Sequence, residues 1–79
     1  MREADILFAM AAIRKTLMHS PHVKDTAKGV HEFWIAWEEP RPLISVTVRA
    51  LERLQSLGEM EVLRQQDGSM VWRAKPPSE

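Results

Sequence analysis

The chain has 79 residues, with 11 basic and 11 acidic side chains, three histidines and no cysteine. A chain of this length makes one domain with one small core, and the lack of cysteine excludes a disulfide framework, a thiolate zinc site and a cysteine nucleophile. Zero net charge is unusual for a dedicated DNA-binding domain, which is normally clearly basic.

The first predicted element is a helix from Glu3 to His19, which Ser20-Pro21 ends because the residue before proline avoids the helical region. Apolar residues at helical spacing predict its inner face. They are Ile6, Met10, Ile13 and Leu17, widened by Leu7, Ala11 and Met18. Phe8 and Ala12 add apolar groups on another side, which leaves material for a homodimer contact. The apolar stretch 6–13 is too short to span a bilayer and lacks the basic flank of a signal peptide, so we expect a soluble, cytoplasmic protein.

A connector and a second helix follow. Residues 22–24 could form a short first strand. Asp25 or Thr26 can cap a helix that runs to about Trp37. Its predicted apolar face consists of Ala27, Val30, Trp34 and Trp37, with Phe33 beside them. The tryptophans either fill the small core or anchor a protein partner, because large aromatic side chains serve both purposes.

A stiff elbow with two prolines, residues 38–42, separates the second helix from the third. The third helix is predicted to begin between Pro42 and Ser45 and to end at Leu57, where Gly58 can adopt a left-handed conformation. Its predicted inner stripe is Val48, Leu51 and Leu54, with Ala50 and Leu57 alongside.

The chain is predicted to end in a β-hairpin of residues 60–65 and 69–75, because Asp67-Gly68 between them is a strong two-residue turn signal. That loop would place Leu63 opposite Trp72 on the core side, with Gln65 opposite Met70 there as well. Val62 and Val71 would then face outward. We expect the tail, residues 76–79, to be disordered.

The stretch from Ser45 to Ala74 resembles the recognition helix and wing of the winged-helix transcription regulator superfamily. The residues that carry this resemblance are Val48, Leu51, Leu54 and Gly58, followed by the turn at Asp67-Gly68. The resemblance implies an α+β winged-helix fold, with three helices followed by a C-terminal two-stranded β-hairpin, in one domain over residues 1–75. It also implies that Ser45, Arg49 and Arg53 lie on the DNA-facing side of the third helix.

The side chains themselves permit contact with duplex DNA. Arg49 and Arg53 are four residues apart and project from one helical face, and arginine can bind either a guanine edge or a phosphate. Arg41 precedes the helix and is placed for a phosphate contact. On the hairpin, the candidates for backbone contact are Arg64, Gln66 and Arg73. The alternative is a solvated helix face, on which Glu52 pairs with its basic neighbours, and a hairpin that only covers the core.

Two hypotheses about function follow. The first is a DNA-binding transcriptional regulator that docks the third helix in a major groove and the hairpin on the flanking backbone. The second is a winged-helix protein-protein interaction module or assembly subunit, with Trp34 and Trp37 at the partner interface. We predict no catalytic residues and no cofactor, because no catalytic or phosphate-binding motif occurs. We also predict no metal site, because His19, His22 and His31 show no repeated ligand spacing.

Overall fold

The computed structural model describes residues 1–77, which form three helical regions and a three-stranded antiparallel sheet. The elements in chain order are α1 (Glu3–His19), β1 (Lys24–Asp25), α2 (Ala27–Gly29) continued by a π-helical turn (Val30–Trp34), α3 (Ile44–Ser56), β2 (Met60–Arg64) and β3 (Met70–Ala74). The strand order is β1-β3-β2. The predicted α+β class with three helices is confirmed. The predicted C-terminal hairpin is present as β2 and β3, but the sheet is not limited to it, because β1 pairs with β3 and adds a third strand at Lys24–Asp25.

Helix α1 has the predicted bounds, and the Ser20 amide closes it by donating to the Thr16 carbonyl at 2.8 Å. The side that faces the core is narrower than predicted. Its buried residues are Ile6, Ala9, Met10 and Ile13. The prediction that Leu7, Ala11 and Met18 widen the buried face is wrong, since all three are exposed. Apolar residues occur on both sides of α1, and packing against α3 selects one side.

The second helix begins as predicted and ends three residues early. Thr26 caps it, with its hydroxyl oxygen accepting a hydrogen bond from the Gly29 amide at 3.1 Å. The chain then widens into a π-helical turn, in which i→i+5 bonds replace i→i+4 bonds, and leaves the helix after Trp34. Extended Ile35 therefore enters the core with 4% exposure, whereas Phe33, predicted to lie beside the buried face, is 80% exposed.

Helix α3 ends as its sequence predicts, because Gly58 adopts a φ of +78° and its amide donates to the Gln55 carbonyl at 3.0 Å. Its buried face is rotated relative to the prediction. The buried residues are Val46, Thr47, Ala50, Leu51 and Leu54. Val48 is only half-buried, and Leu57 is 60% exposed because it follows the last helical turn.

The hairpin register differs by one residue from the predicted one. Val62 pairs with Trp72 and Leu63 with Val71, so Val62 packs on the core side while Leu63 lies on the other face. The loop has three residues, 66–68, because the Gln65 amide bonds the Ser69 carbonyl at 2.7 Å and Gly68 has a φ of +88°. This three-residue loop with a left-handed glycine is a common hairpin connection. The prediction that Trp72 is in the core is confirmed, with 8% exposure.

The core lies between α1, the second helix, α3 and the inner face of the sheet. Its largest fully buried apolar side chains are Ile13, Leu51, Leu54, Met60 and Val30. The radius of gyration, 12.1 Å, is close to the roughly 12 Å expected for one domain of this length. Pro76 and Pro77 follow β3, while the remainder of the predicted tail, 78–79, lies outside the described residues. Within the described part, no helix is both long enough and apolar enough to cross a membrane.

Candidate nucleic-acid interface

The side of α3 that faces away from the core is open along the helix. Ser45, Arg49, Glu52 and Ser56 are all exposed there, as the predicted DNA-facing side requires. The Arg49 guanidinium lies 3.7 Å from the Glu52 carboxylate, and both side chains are more than half exposed. Ion pairs as exposed as this one contribute little to stability, so Arg49 remains available to an external anion.

Arg53 is held by an acidic partner from α1. Both of its terminal nitrogens donate to the Glu3 carboxylate, with Nη2 2.7 Å from Oε1. This hydrogen-bonded pair lowers the pKa of Glu3, and the nearby charge of Arg49 acts in the same direction. The first turn of α1 therefore supplies a negative charge that partly neutralises the two arginines of α3.

The hairpin contains a second pair of this kind. Arg73 lies directly opposite Glu61 in the β2–β3 ladder, and its Nε donates to Glu61 Oε2 at 2.7 Å. At the tip, Asp67 Oδ1 accepts hydrogen bonds from the Ser69 amide and hydroxyl, and these bonds lower the pKa of Asp67. Asp67 therefore shapes the loop and also leaves a negative charge beside exposed Gln66.

The predicted DNA-binding residues fall into two groups. Arg41, Ser45, Arg49, Arg64 and Gln66 are exposed. Arg53 and Arg73 are half-buried and paired with Glu3 and Glu61. Neither acidic partner is among the residues predicted from the sequence. The pairing of Glu61 with Arg73 follows once the hairpin register is known. No local signal in the sequence connects Glu3 to Arg53, which lies 50 positions away.

The two tryptophans play different structural roles. Trp37 is half-buried, and its indole Nε1 donates to the His31 carbonyl at 2.9 Å. Its ring stacks on Phe8 with the centroids 5.6 Å apart and lies 5.3 Å from the His31 ring. Trp37 thus joins α1 to the second helix. Trp34 is also half-buried, and it lines an open groove beside α1.

A buried polar contact connects the second helix to α3. His31 is 6% exposed, and its Nδ1 lies 2.6 Å from the hydroxyl oxygen of fully buried Thr47. The contact ties the ring to the middle of the buried face of α3, and the tautomer of the ring sets which of the two groups donates. Burial lowers the pKa of His31, and the charge of Arg41 adds to this effect. No local signal in the sequence connects His31 to Thr47, which lies 16 positions away.

The groove beside α1 has a volume of about 620 Å³. Its walls include Phe8, Ala11, Lys15, His19 and Trp34, so they are mainly apolar with basic groups at one end. Among residues 1–77, no cluster of three or more histidine, aspartate or glutamate side chains is arranged to hold a metal ion. No protein-family model, curated protein or solved structure matches the chain. The chemistry of these surfaces is therefore what indicates a function.

Proposed function

We propose that the protein is a small winged-helix regulator of transcription that binds duplex DNA through the outer side of α3 and the β2–β3 hairpin. The order of elements, with a short first strand paired to the last one, is compatible with a winged helix. The observation that carries the proposal is the open side of α3. Its opposite side is buried in the core, so the helix is a rigid support for Ser45 and Arg49.

The dimensions of α3 suit a major groove. Its 13 residues extend about 20 Å, and a helix with its side chains is about 10–12 Å wide, close to the roughly 12 Å width of the groove. Arg49, in the middle of the open side, is proposed to contact base edges. Arg41 before the helix and Arg64 at the end of β2 are exposed and are proposed to contact phosphates on either side.

In this mechanism, the Glu3 carboxylate competes with DNA phosphates for Arg53. A phosphate that binds the same edge of the Arg53 guanidinium displaces its two hydrogen bonds to the Glu3 carboxylate. DNA binding therefore replaces the Glu3 carboxylate with a phosphate as the anionic partner of Arg53. For this reason Arg53 contributes less binding free energy than an unpaired arginine would. The same exchange applies to Arg73 and Glu61 on the hairpin. This competition, like the zero net charge of the chain, lowers the sequence-independent attraction to DNA phosphates.

A fluorescence-anisotropy titration of labelled duplex DNA at several salt concentrations tests the proposal. Arg49→Ala is expected to weaken binding by about 1–3 kcal/mol if it contacts a base. Lys28→Ala is the matched control, because it removes an exposed basic charge outside α1, α3 and the hairpin and should leave the affinity nearly unchanged.

Glu3→Gln provides a test with the opposite sign. Removing the carboxylate releases Arg53, so DNA should bind more tightly and the salt dependence should steepen by about one released counterion. Glu38→Gln removes an exposed acidic charge from the elbow and controls for the change in net charge. Equal affinities for wild type, Arg49→Ala and Glu3→Gln would show that α3 does not contact DNA.

A second candidate function is protein binding without nucleic acid, and the exposed aromatic groups favour it. Phe33 is 80% exposed and Trp34 lines the open groove. Folded wild-type protein that binds no duplex even at low salt would favour this function over the first.

A further inference from the structure

Helix α1 has a largely open apolar side that faces away from the core, on which Phe8 is partly covered by its stacking on Trp37. Leu7, Phe8 and Met18 are 54%, 43% and 80% exposed, and Ala4 and Ala11 are exposed between them. A surface helix normally carries polar residues on its outer side, whereas a helix that is apolar on two sides is normally buried on both. We call this set of five residues the outer α1 stripe. Its composition indicates a protein surface that is covered in the functional state.

The charges at the two ends of α1 indicate what covers it. The first turn is acidic, with Glu3 and Asp5, and the last turns are basic, with Arg14, Lys15 and His19. Glu3 is paired with Arg53 and Arg14 with Glu59, so the charges left for a second copy are chiefly those of Asp5 and Lys15. Lys15 lies beside the outer α1 stripe, where it lines the groove, and it has no ion-pair partner within residues 1–77. A second α1 running in the opposite direction would place its acidic end beside this lysine and would also align the two helix dipoles favourably. A parallel arrangement would place like charges together.

We propose that the outer α1 stripe binds a second copy of this chain, with the two α1 helices antiparallel and related by a two-fold axis near Ala11. Such an interface uses the same patch on both subunits, so every contact occurs twice. Ala11 is at the middle of the stripe, and its small side chain lets the two helices approach closely. In this arrangement Leu7 of the second copy lies level with Lys15, beside the groove lined by Phe8 and Trp34. The open groove is thereby filled by an apolar side chain.

The cysteine-free sequence allows a direct test of this geometry with single introduced cysteines. Ala11→Cys should form a disulfide-linked dimer under mild oxidation, because the two copies of this residue meet at the axis. Ala4→Cys should remain unlinked, since two antiparallel copies lie about 21 Å apart along the helix axis. A mixture of Ala4→Cys with Met18→Cys should form the mixed dimer. Efficient linking of Ala4→Cys to itself would overturn the antiparallel arrangement.

Sedimentation equilibrium of the wild-type chain tests the association itself. We expect a concentration-dependent dimer, because one helix per subunit provides less than the roughly 800 Å² per partner of a standard interface. Leu7→Gln with Met18→Gln should weaken the dimer by at least about tenfold without unfolding the protein, because both side chains are exposed in the monomer. Leu43→Gln, at a residue that is 79% exposed before α3, is the matched control and should have no effect. A wild-type mass that stays monomeric at every concentration would overturn the proposal.

Discussion

Replacing Thr47 with valine isolates the buried hydrogen bond between α3 and the second helix. Valine has nearly the shape of threonine, so the change removes the hydroxyl and leaves the packing intact. Thr47 is fully buried and His31 is 6% exposed, so water cannot replace the hydrogen-bond partner that His31 Nδ1 loses. A buried polar group without a hydrogen-bond partner costs about 1–3 kcal/mol of folding free energy. We take about 2 kcal/mol as the expected loss.

This loss is large enough to measure by thermal unfolding. For a domain of 60–100 residues, 1 kcal/mol shifts the midpoint by about 4–8 °C, so Thr47→Val should lower the melting temperature by roughly 8–16 °C. Circular dichroism at 222 nm, at pH 7.5 where His31 is neutral, follows the transition. A urea titration at the same pH should give a lower midpoint with an unchanged slope, because the variant does not alter the surface exposed on unfolding.

Thr47→Ser is the matched control, because it keeps the hydroxyl and removes only a methyl group. Loss of one buried methyl group costs about 0.8 kcal/mol for transfer alone, with an added cavity cost. Serine should therefore destabilise less than valine. The opposite order, or a valine variant as stable as the wild type, would refute the reasoning, because packing of the methyl group would then matter more than the hydrogen bond to His31.

Two further predictions concern the second helix. The pKa of His31 is lowered in the folded state, so the unfolded chain binds more protons near its ordinary pKa of about 6.5, and stability should fall as the pH drops below that value. Urea titrations between pH 7.5 and 5 measure this loss, which His31→Gln should abolish. Gly29→Ala should destabilise the fold even though alanine favours helices by about 1 kcal/mol, because its Cβ would lie 2.0 Å from the Asp25 carboxylate.

Each of these predictions has its own control. The charges of Arg41 and Glu32 act on the His31 ring. The double variant His19→Gln with His22→Gln leaves these charges and His31 in place, so it should retain the pH dependence of stability. Wild-type stability that is constant between pH 7.5 and 5 would contradict the assignment. For the glycine, Asp25→Ala with Gly29→Ala should recover stability relative to Gly29→Ala alone. If Gly29→Ala by itself stabilises the protein, the Asp25 side chain moves away at little cost.

Local signals in the sequence determined several elements without help from the rest of the fold. Ser20-Pro21 ends α1 at His19, Thr26 caps the second helix, and Gly58 ends α3. These outcomes follow from backbone sterics and from capping bonds between residues a few positions apart, so a short window of sequence contains the required information. The existence of the hairpin followed in the same way from Asp67-Gly68.

The choice among equally apolar surfaces was decided only by tertiary packing. Both sides of α1 are apolar, and contact with α3 buries Ile6 and Met10 while Leu7 stays exposed. The hairpin register depended on a single loop residue, and that residue decides whether Val62 or Leu63 faces the core.

The charge of the candidate DNA surface was also a tertiary property. Sequence spacing placed Arg49 and Arg53 on one face of α3, because helical geometry is local. It did not reveal Glu3, whose carboxylate reaches Arg53 only because α1 packs along α3. Side-chain periodicity is set by the backbone within a few residues, whereas ion pairs across 50 residues require the whole chain to fold. The sequence by itself therefore determined that Ser45 and Arg49 lie on the open side of α3, and the tertiary structure decided the exact buried face and how much of the arginine charge is left for a partner.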